Sequence, residues 1–69
     1  MADFICKLKK YRLLKELTQE QLAKAVGVRR ETIMRLEKGQ YNPSLKLAVD
    51  ISRVVEVPIE EIFIFEQKI

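Results

Sequence analysis

The stretch Thr18-Gln-Glu-Gln-Leu-Ala-Lys-Ala-Val-Gly-Val-Arg-Arg-Glu-Thr-Ile-Met-Arg-Leu-Glu-Lys-Gly39 reads as two short amphipathic helices joined by a tight turn at Gly27. Thr18 with Gln21 three residues on is a capping box, in which each side chain satisfies a backbone N–H of the other residue. Leu22, Ala23 and Val26 then fall on one face at helical spacing. Gly27 ends the run in a left-handed conformation that costs glycine nothing, and Val28 packs back into the angle between the helices. The second helix is expected to bury Ile33 and Leu36 and to stop at Gly39. Arg29, Arg30, Glu31, Met34, Arg35 and Lys38 remain exposed on it.

Arginine at a helix N-terminus opposes the macrodipole, at a cost of roughly 0.3 to 1 kcal/mol per exposed charge. Selection for stability alone would favour Ser, Asp or Thr there. Arg29 stands where an N-cap is expected and Arg30 follows it, so two mildly destabilising choices adjoin at the tip of the second helix. Such a local inconsistency marks function, here the approach of that tip to a polyanion such as DNA. Read without function, the same arginines are solvated surface charges.

The charge distribution agrees with the first reading. Residues 1–43 carry ten basic and five acidic side chains, and residues 44–69 carry three and five, within a net charge of +3. One end is built to approach polyanions and the other is not. At 69 residues the chain buries only about 60% of its unfolded surface, enough for one domain over 1–69 with a marginal core. Further stabilisation is therefore expected from self-association. Cys6 is the single cysteine, so no disulfide framework exists and a reducing cytoplasm is expected. It is read as a small apolar packing residue rather than a reactive or intermolecular thiol. No apolar run of transmembrane length and no signal-peptide pattern is present, so no membrane partner is expected.

Five helices are predicted, about Lys7–Lys15, Gln19–Val26, Arg29–Lys38, from Ser44 as N-cap to Val55, and Pro58–Phe63. The first faces the core with Leu8, Tyr11 and either Leu14 or Leu17. Its outer lysines, Lys7, Lys9, Lys10 and Lys15, form either a solvated face or a phosphate-facing one. The fourth carries Leu45, Ala48, Ile51, Ser52 and Val55 inward. Both termini, Ala2–Cys6 and Ile64–Ile69, are apolar and β-prone, so they either pair as an antiparallel two-stranded ribbon or belong to a longer first helix and a loose tail.

The residues from Thr18 to Gly39 resemble the helix-turn-helix of the Cro/CI-type (XRE-like) regulators. The match runs in register over nearly the whole chain. It includes Leu8, Tyr11 and Arg12 upstream, Gln19, Gly27, Ile33, Glu37 and Gly39 within the motif, and Asn42-Pro43-Ser44 and Ile62-Phe63 downstream. The resemblance implies a mainly α, five-helix lambda-repressor-like domain. With a terminal ribbon, it is similar to the small cytolysin-repressor-like branch of dimeric repressors.

The resemblance further implies an ion pair between Arg12 and Glu37 that locks the recognition helix, and a phosphate contact from Gln19. It places Arg30, Glu31 and Arg35 at positions that commonly touch bases. Arginine favours guanine O6 and N7, and a glutamate accepts from cytosine N4. Glu31 alternatively offsets Arg29 or Arg30. Thr32 faces a phosphate or a thymine methyl. Arg29 departs from the family's Ser or Thr, and its partner is either a phosphate or a base. Lys38, Tyr41 and Asn42 are candidate phosphate contacts that set register without reading sequence.

A homodimer is expected, since two recognition helices about 34 Å apart read an inverted repeat in successive major grooves. Ile59, Ile62, Phe63 and Tyr41, with Leu47 and Val54 as further candidates, offer more apolar surface than one small core needs. The expected partners are thus double-stranded DNA and a second copy, with no cofactor and no small-molecule effector. An enzyme is not expected, because the chain has no histidine, no cysteine cluster and no phosphate-cradling glycine loop. The alternative is a protein-interaction module, such as an antitoxin or adaptor that retains the fold. Only about six residues follow the last predicted helix, which leaves little room for a toxin-binding extension.

Overall fold

The computed structural model describes residues 4–65, as five helices and a two-stranded antiparallel sheet. The elements run β1 (Phe4–Cys6), α1 (Leu8–Leu14), α2 (Gln19–Val26), α3 (Arg30–Glu37), α4 (Leu45–Val55), α5 (Ile59–Ile62) and β2 (Phe63–Phe65).

Local chemistry accounts for most of these boundaries. At the start of α2 the Gln21 backbone N–H donates to Thr18 Oγ1 at 3.0 Å, and the Thr18 N–H donates to Gln21 Oε1 at 2.8 Å. Gly27 ends the helix at φ 75°. A Cβ built there meets nothing within 4 Å, so backbone conformation and not space requires glycine. Ser44 caps α4 by accepting from the Leu47 N–H at 3.1 Å. α3 has no such help, because Arg29 occupies its N-cap with no side-chain hydrogen bond.

The core gathers Leu8, Leu22, Ala23, Ile33, Leu36, Leu47, Ala48, Ile51, Val55, Ile62 and Phe63. α4 contributes four of these along one stripe, which seats α2 and α5 against it, while α3 packs on α2. Each buried Leu, Ile or Val contributes about 1.5 to 3 kcal/mol relative to exposure.

The termini form the ribbon. Phe4 pairs with Phe65, Ile5 with Ile64 and Cys6 with Phe63. Such a short ribbon is not stable alone. Here Phe4 joins it to the core by packing edge-on to Phe63, with ring centroids 5.8 Å apart, while Phe65 lies 5.4 Å from Phe4. The Lys7 N–H also donates to the Ile62 carbonyl at 2.8 Å, tying the start of α1 to the end of α5. Ala2, Asp3 and 66–69, which the predicted ribbon included, lie outside the described residues.

One alternative is resolved and three expectations are corrected. Leu14 is 70% exposed, and Leu17 is the half-buried alternative. Leu45, expected inward, is 78% exposed at the first position of α4, where the helix has not yet reached the core. Phe63 starts β2 instead of ending α5, because ribbon pairing with Cys6 outcompetes another helical residue. Ile62 and Phe63, expected between subunits, are buried within the single chain at 0% and 3% exposure, and Leu47 is likewise a core residue.

Candidate nucleic-acid interface

α3 is held by its C-terminal end. Glu37, half-buried on its last turn, accepts from Arg12 Nε at 2.6 Å and from Arg12 Nη2 at 3.2 Å, a two-point guanidinium–carboxylate pair. Gln19 Nε2 adds a third bond to Glu37 Oε1 at 3.1 Å. Arg12 itself is only 6% exposed, and its Nη1 donates to the Leu17 carbonyl at 2.8 Å, closing the turn after α1. The last turn of α1, the first residue of α2 and the last residue of α3 are thereby fixed relative to one another through one carboxylate.

The exposed face of α3 carries the opposite character. Arg29, Arg30, Glu31, Arg35 and Lys38 are exposed, while Thr32 and Met34 are half-buried. Among the described residues the ion pairs join Arg12 to Glu37, Lys15 to Glu56 and Lys46 to Asp50, and none engages an α3 arginine, Lys38 or Glu31. Glu31 therefore offsets neither Arg29 nor Arg30 by direct contact, though it stands in the first turn, where a negative charge suits the macrodipole. Four cations stand ready for an external anion at no cost of breaking an internal pair.

Tyr41 and Asn42 are exposed in the connection between α3 and α4. Tyr41 closes one side of a cleft of about 410 Å³ whose other walls are Arg29, Glu31, Thr32 and Arg35. Residues 29, 32 and 35 recur at three-residue spacing, so they share a face of α3. Arg30, Met34 and Lys38, at four-residue spacing, lie on the neighbouring stripe.

A second, apolar cleft of about 510 Å³ lies at the start of α4, between Pro43, Leu45 and Ala48 on one side and Ile59, Phe63 and Phe65 on the other. Of the residues expected between subunits, Ile59 lines this cleft and Tyr41 lines the other one. Val54 is half-buried. Leu45 and Phe65, 78% and 56% exposed, are the prominent apolar rim of the cleft beside α4; sequence reasoning placed Leu45 in the core and Phe65 in the terminal ribbon, and neither at an interface.

Away from these surfaces, Lys10 Nζ sits 5.3 Å from the Tyr11 ring centroid, and Lys15 is engaged by Glu56. Lys15 holds the Glu56 carboxyl below its ordinary range by hydrogen bonding and charge. Burial pushes the half-buried Cys6 thiol up, against a smaller opposing effect from the Leu8 backbone. No group of residues able to hold a metal ion occurs among the described residues, and none of their helices is long and apolar enough to cross a membrane.

The helix-turn-helix family profile matches residues 8–62. The chain is a helix-turn-helix protein of the XRE-like type. An uncharacterized HTH-type transcriptional regulator of Archaeoglobus fulgidus is 60% identical over 62 residues, covering 90% of this chain and 87% of the relative. The cryptic phage CTXphi transcriptional repressor RstR of Vibrio cholerae is 32% identical over 59 residues, 86% of this chain, which spans 53% of that repressor. Among solved structures, the restriction-modification controller protein C.AhdI of Aeromonas hydrophila superposes with a TM-score of 0.71 at 31% identity, covering 78% of this chain and 82% of that one. In this helix-turn-helix protein α2, Gly27 and α3 form the motif itself, and the Arg12–Glu37–Gln19 cluster joins α1 to both of its helices.

Proposed function

We propose that this chain, folded as one domain, is a sequence-specific double-stranded DNA-binding transcriptional regulator that inserts α3 into the major groove. The observation that carries the reading is the set of exposed cations along α3 that no ion pair among the described residues engages, on a helix pinned by Glu37. An α-helix about 10 to 12 Å across fits a major groove about 12 Å wide. Arg30, Arg35, Glu31, Thr32 and Arg29 are then the base-facing set. Gln19 keeps a second amide N–H for a phosphate after donating one to Glu37. Lys38, Asn42 and the Tyr41 hydroxyl supply further backbone contacts, which give affinity that falls with salt.

The regulator acts as a homodimer on an inverted repeat, and the apolar cleft rimmed by Leu45, Ile59 and Phe65 is the surface that a second copy covers. This interface replaces the one expected around Ile62 and Phe63. Repression by promoter occlusion is the favoured mode, supported by the relative named a transcriptional repressor.

Selection from a random duplex library at two salt concentrations, with light scattering in parallel, tests the proposal. A dimer that enriches an inverted repeat, and whose affinity drops steeply with salt, is the expected result. Leu45→Glu should yield monomers with weakened operator affinity and unchanged helicity. A monomer with no enrichment above non-specific binding would overturn the reading and favour a protein-interaction module.

A further inference from the structure

The cleft between Tyr41 and α3 has a composition that neither a phosphate clamp nor a solvated surface explains. Its walls supply two guanidinium groups, from Arg29 and Arg35, and one carboxylate, from Glu31. The carboxylate opposes a phosphate occupant by like-charge repulsion. It suits a base edge, where a cytosine or adenine amino group is a donor. Thr32, Tyr41 and the arginine stems are the lining residues that can offer hydrocarbon to an occupant. A volume of about 410 Å³ admits the edge of a base, not a single atom group.

Resting on the DNA-binding reading, we infer that Thr32 and Tyr41 form a reader of the pyrimidine C5 methyl, with Arg35 reading the guanine on its 3′ side. The spacing follows from helix geometry. Thr32 and Arg35 are three residues apart, a rise of about 4.5 Å along α3. Successive base pairs are about 3.4 Å apart. A methyl seated against Thr32 and Tyr41 therefore leaves the Arg35 head at the adjacent pair, where its planar fork meets guanine O6 and N7. In that position the guanidinium plane covers the neighbouring pyrimidine methyl and excludes water from it. The half-site then contains a thymine–guanine step, and a 5-methylcytosine–guanine step substitutes for it. DNA methylation at such a step would strengthen binding.

The experiment uses the full chain and the operator obtained by selection. Duplexes carry thymine, deoxyuridine, cytosine or 5-methylcytosine at the pyrimidine before guanine. Removing one buried methyl should weaken binding about four-fold per half-site. Deoxyuridine is expected to bind worse than thymine, and 5-methylation of the cytosine duplex to recover the loss. Thr32→Ser should erase the difference between thymine and deoxyuridine, whereas Thr32→Val should keep it. Tyr41→Phe should keep that difference too, because the methyl meets the ring and the hydroxyl serves only a sequence-independent backbone contact, while Tyr41→Ala should lose it.

An operator bound equally with thymine and deoxyuridine overturns this inference alone. So does a Tyr41→Ala variant that weakens every duplex alike while keeping the difference between thymine and deoxyuridine, since that outcome makes the cleft a phosphate clamp. Absence of any enriched operator overturns the DNA-binding reading and this inference together.

Discussion

Replacing Glu37 with alanine removes both acceptors of the Arg12 fork and the acceptor of Gln19, while the Arg12 guanidinium keeps its bond to the Leu17 carbonyl. Its side chain is 8% exposed and that of Glu37 is 5% exposed, so water reaches neither group freely. Stranding one member of such a pair costs about 3 to 5 kcal/mol. The surviving bond to Leu17 argues for the lower end. Stability of about 0.05 to 0.15 kcal/mol per residue gives a chain of 69 residues roughly 3 to 10 kcal/mol in all, so the loss is a large share of it. For a domain of this size each kcal/mol lowers Tm by about 4 to 8 °C, which predicts a fall of about 12 to 24 °C.

Thermal and urea unfolding followed by circular dichroism measures it. The cycle with Arg12→Met separates the pair from its surroundings: if the pair acts as a unit, the double variant should recover about 2 kcal/mol relative to the sum of the single losses. A Glu37→Ala protein within about 1 kcal/mol of the parent, or strictly additive losses in the cycle, would refute the reasoning.

Three further outcomes are expected. Arg35→Ala should cost about 1 to 3 kcal/mol at one operator position, while Lys38→Ala should weaken all sequences alike and reduce the salt slope by about one; binding to single-base operator variants at several salt concentrations compares them. Gly27→Ala should destabilise by about 1 to 2 kcal/mol through its φ of 75° alone, since a Cβ there has open space, and chemical denaturation would show no change in m. Because Lys15 lowers the Glu56 carboxyl in the folded state, the unfolded chain takes up a proton first as pH falls. The contribution of that pair is present above the ordinary carboxylate range and fades as pH drops through the lowered value, so Glu56→Gln should make stability measurably less sensitive to acid over that window.

What the linear chain settled by itself was local. Thr18 with Gln21, Gly27 and Ser44 set helix ends through contacts or conformations that span no more than a few residues, and α2 runs from Gln19 to Val26 as its signals require. The arginines at the start of α3 were legible for the same reason, as an unfavourable choice visible against the macrodipole. Partners far apart in sequence, such as Lys15 and Glu56, left no local signal, and Arg12 with Glu37 became legible only through family resemblance.

Burial required the tertiary structure, because periodicity identifies an apolar stripe but not what covers it. α5 has four residues, too few to define a face, so Ile62 read as surface although the core encloses it. Leu45 continued the α4 pattern but lies beyond the reach of its neighbours, and the ribbon existed only once both ends of the chain met at Cys6 and Phe63. The cleft beside Tyr41 belongs to the same class, since the chain must turn after Gly39, at φ 70°, before Tyr41 can share a cleft with Arg29, Thr32 and Arg35.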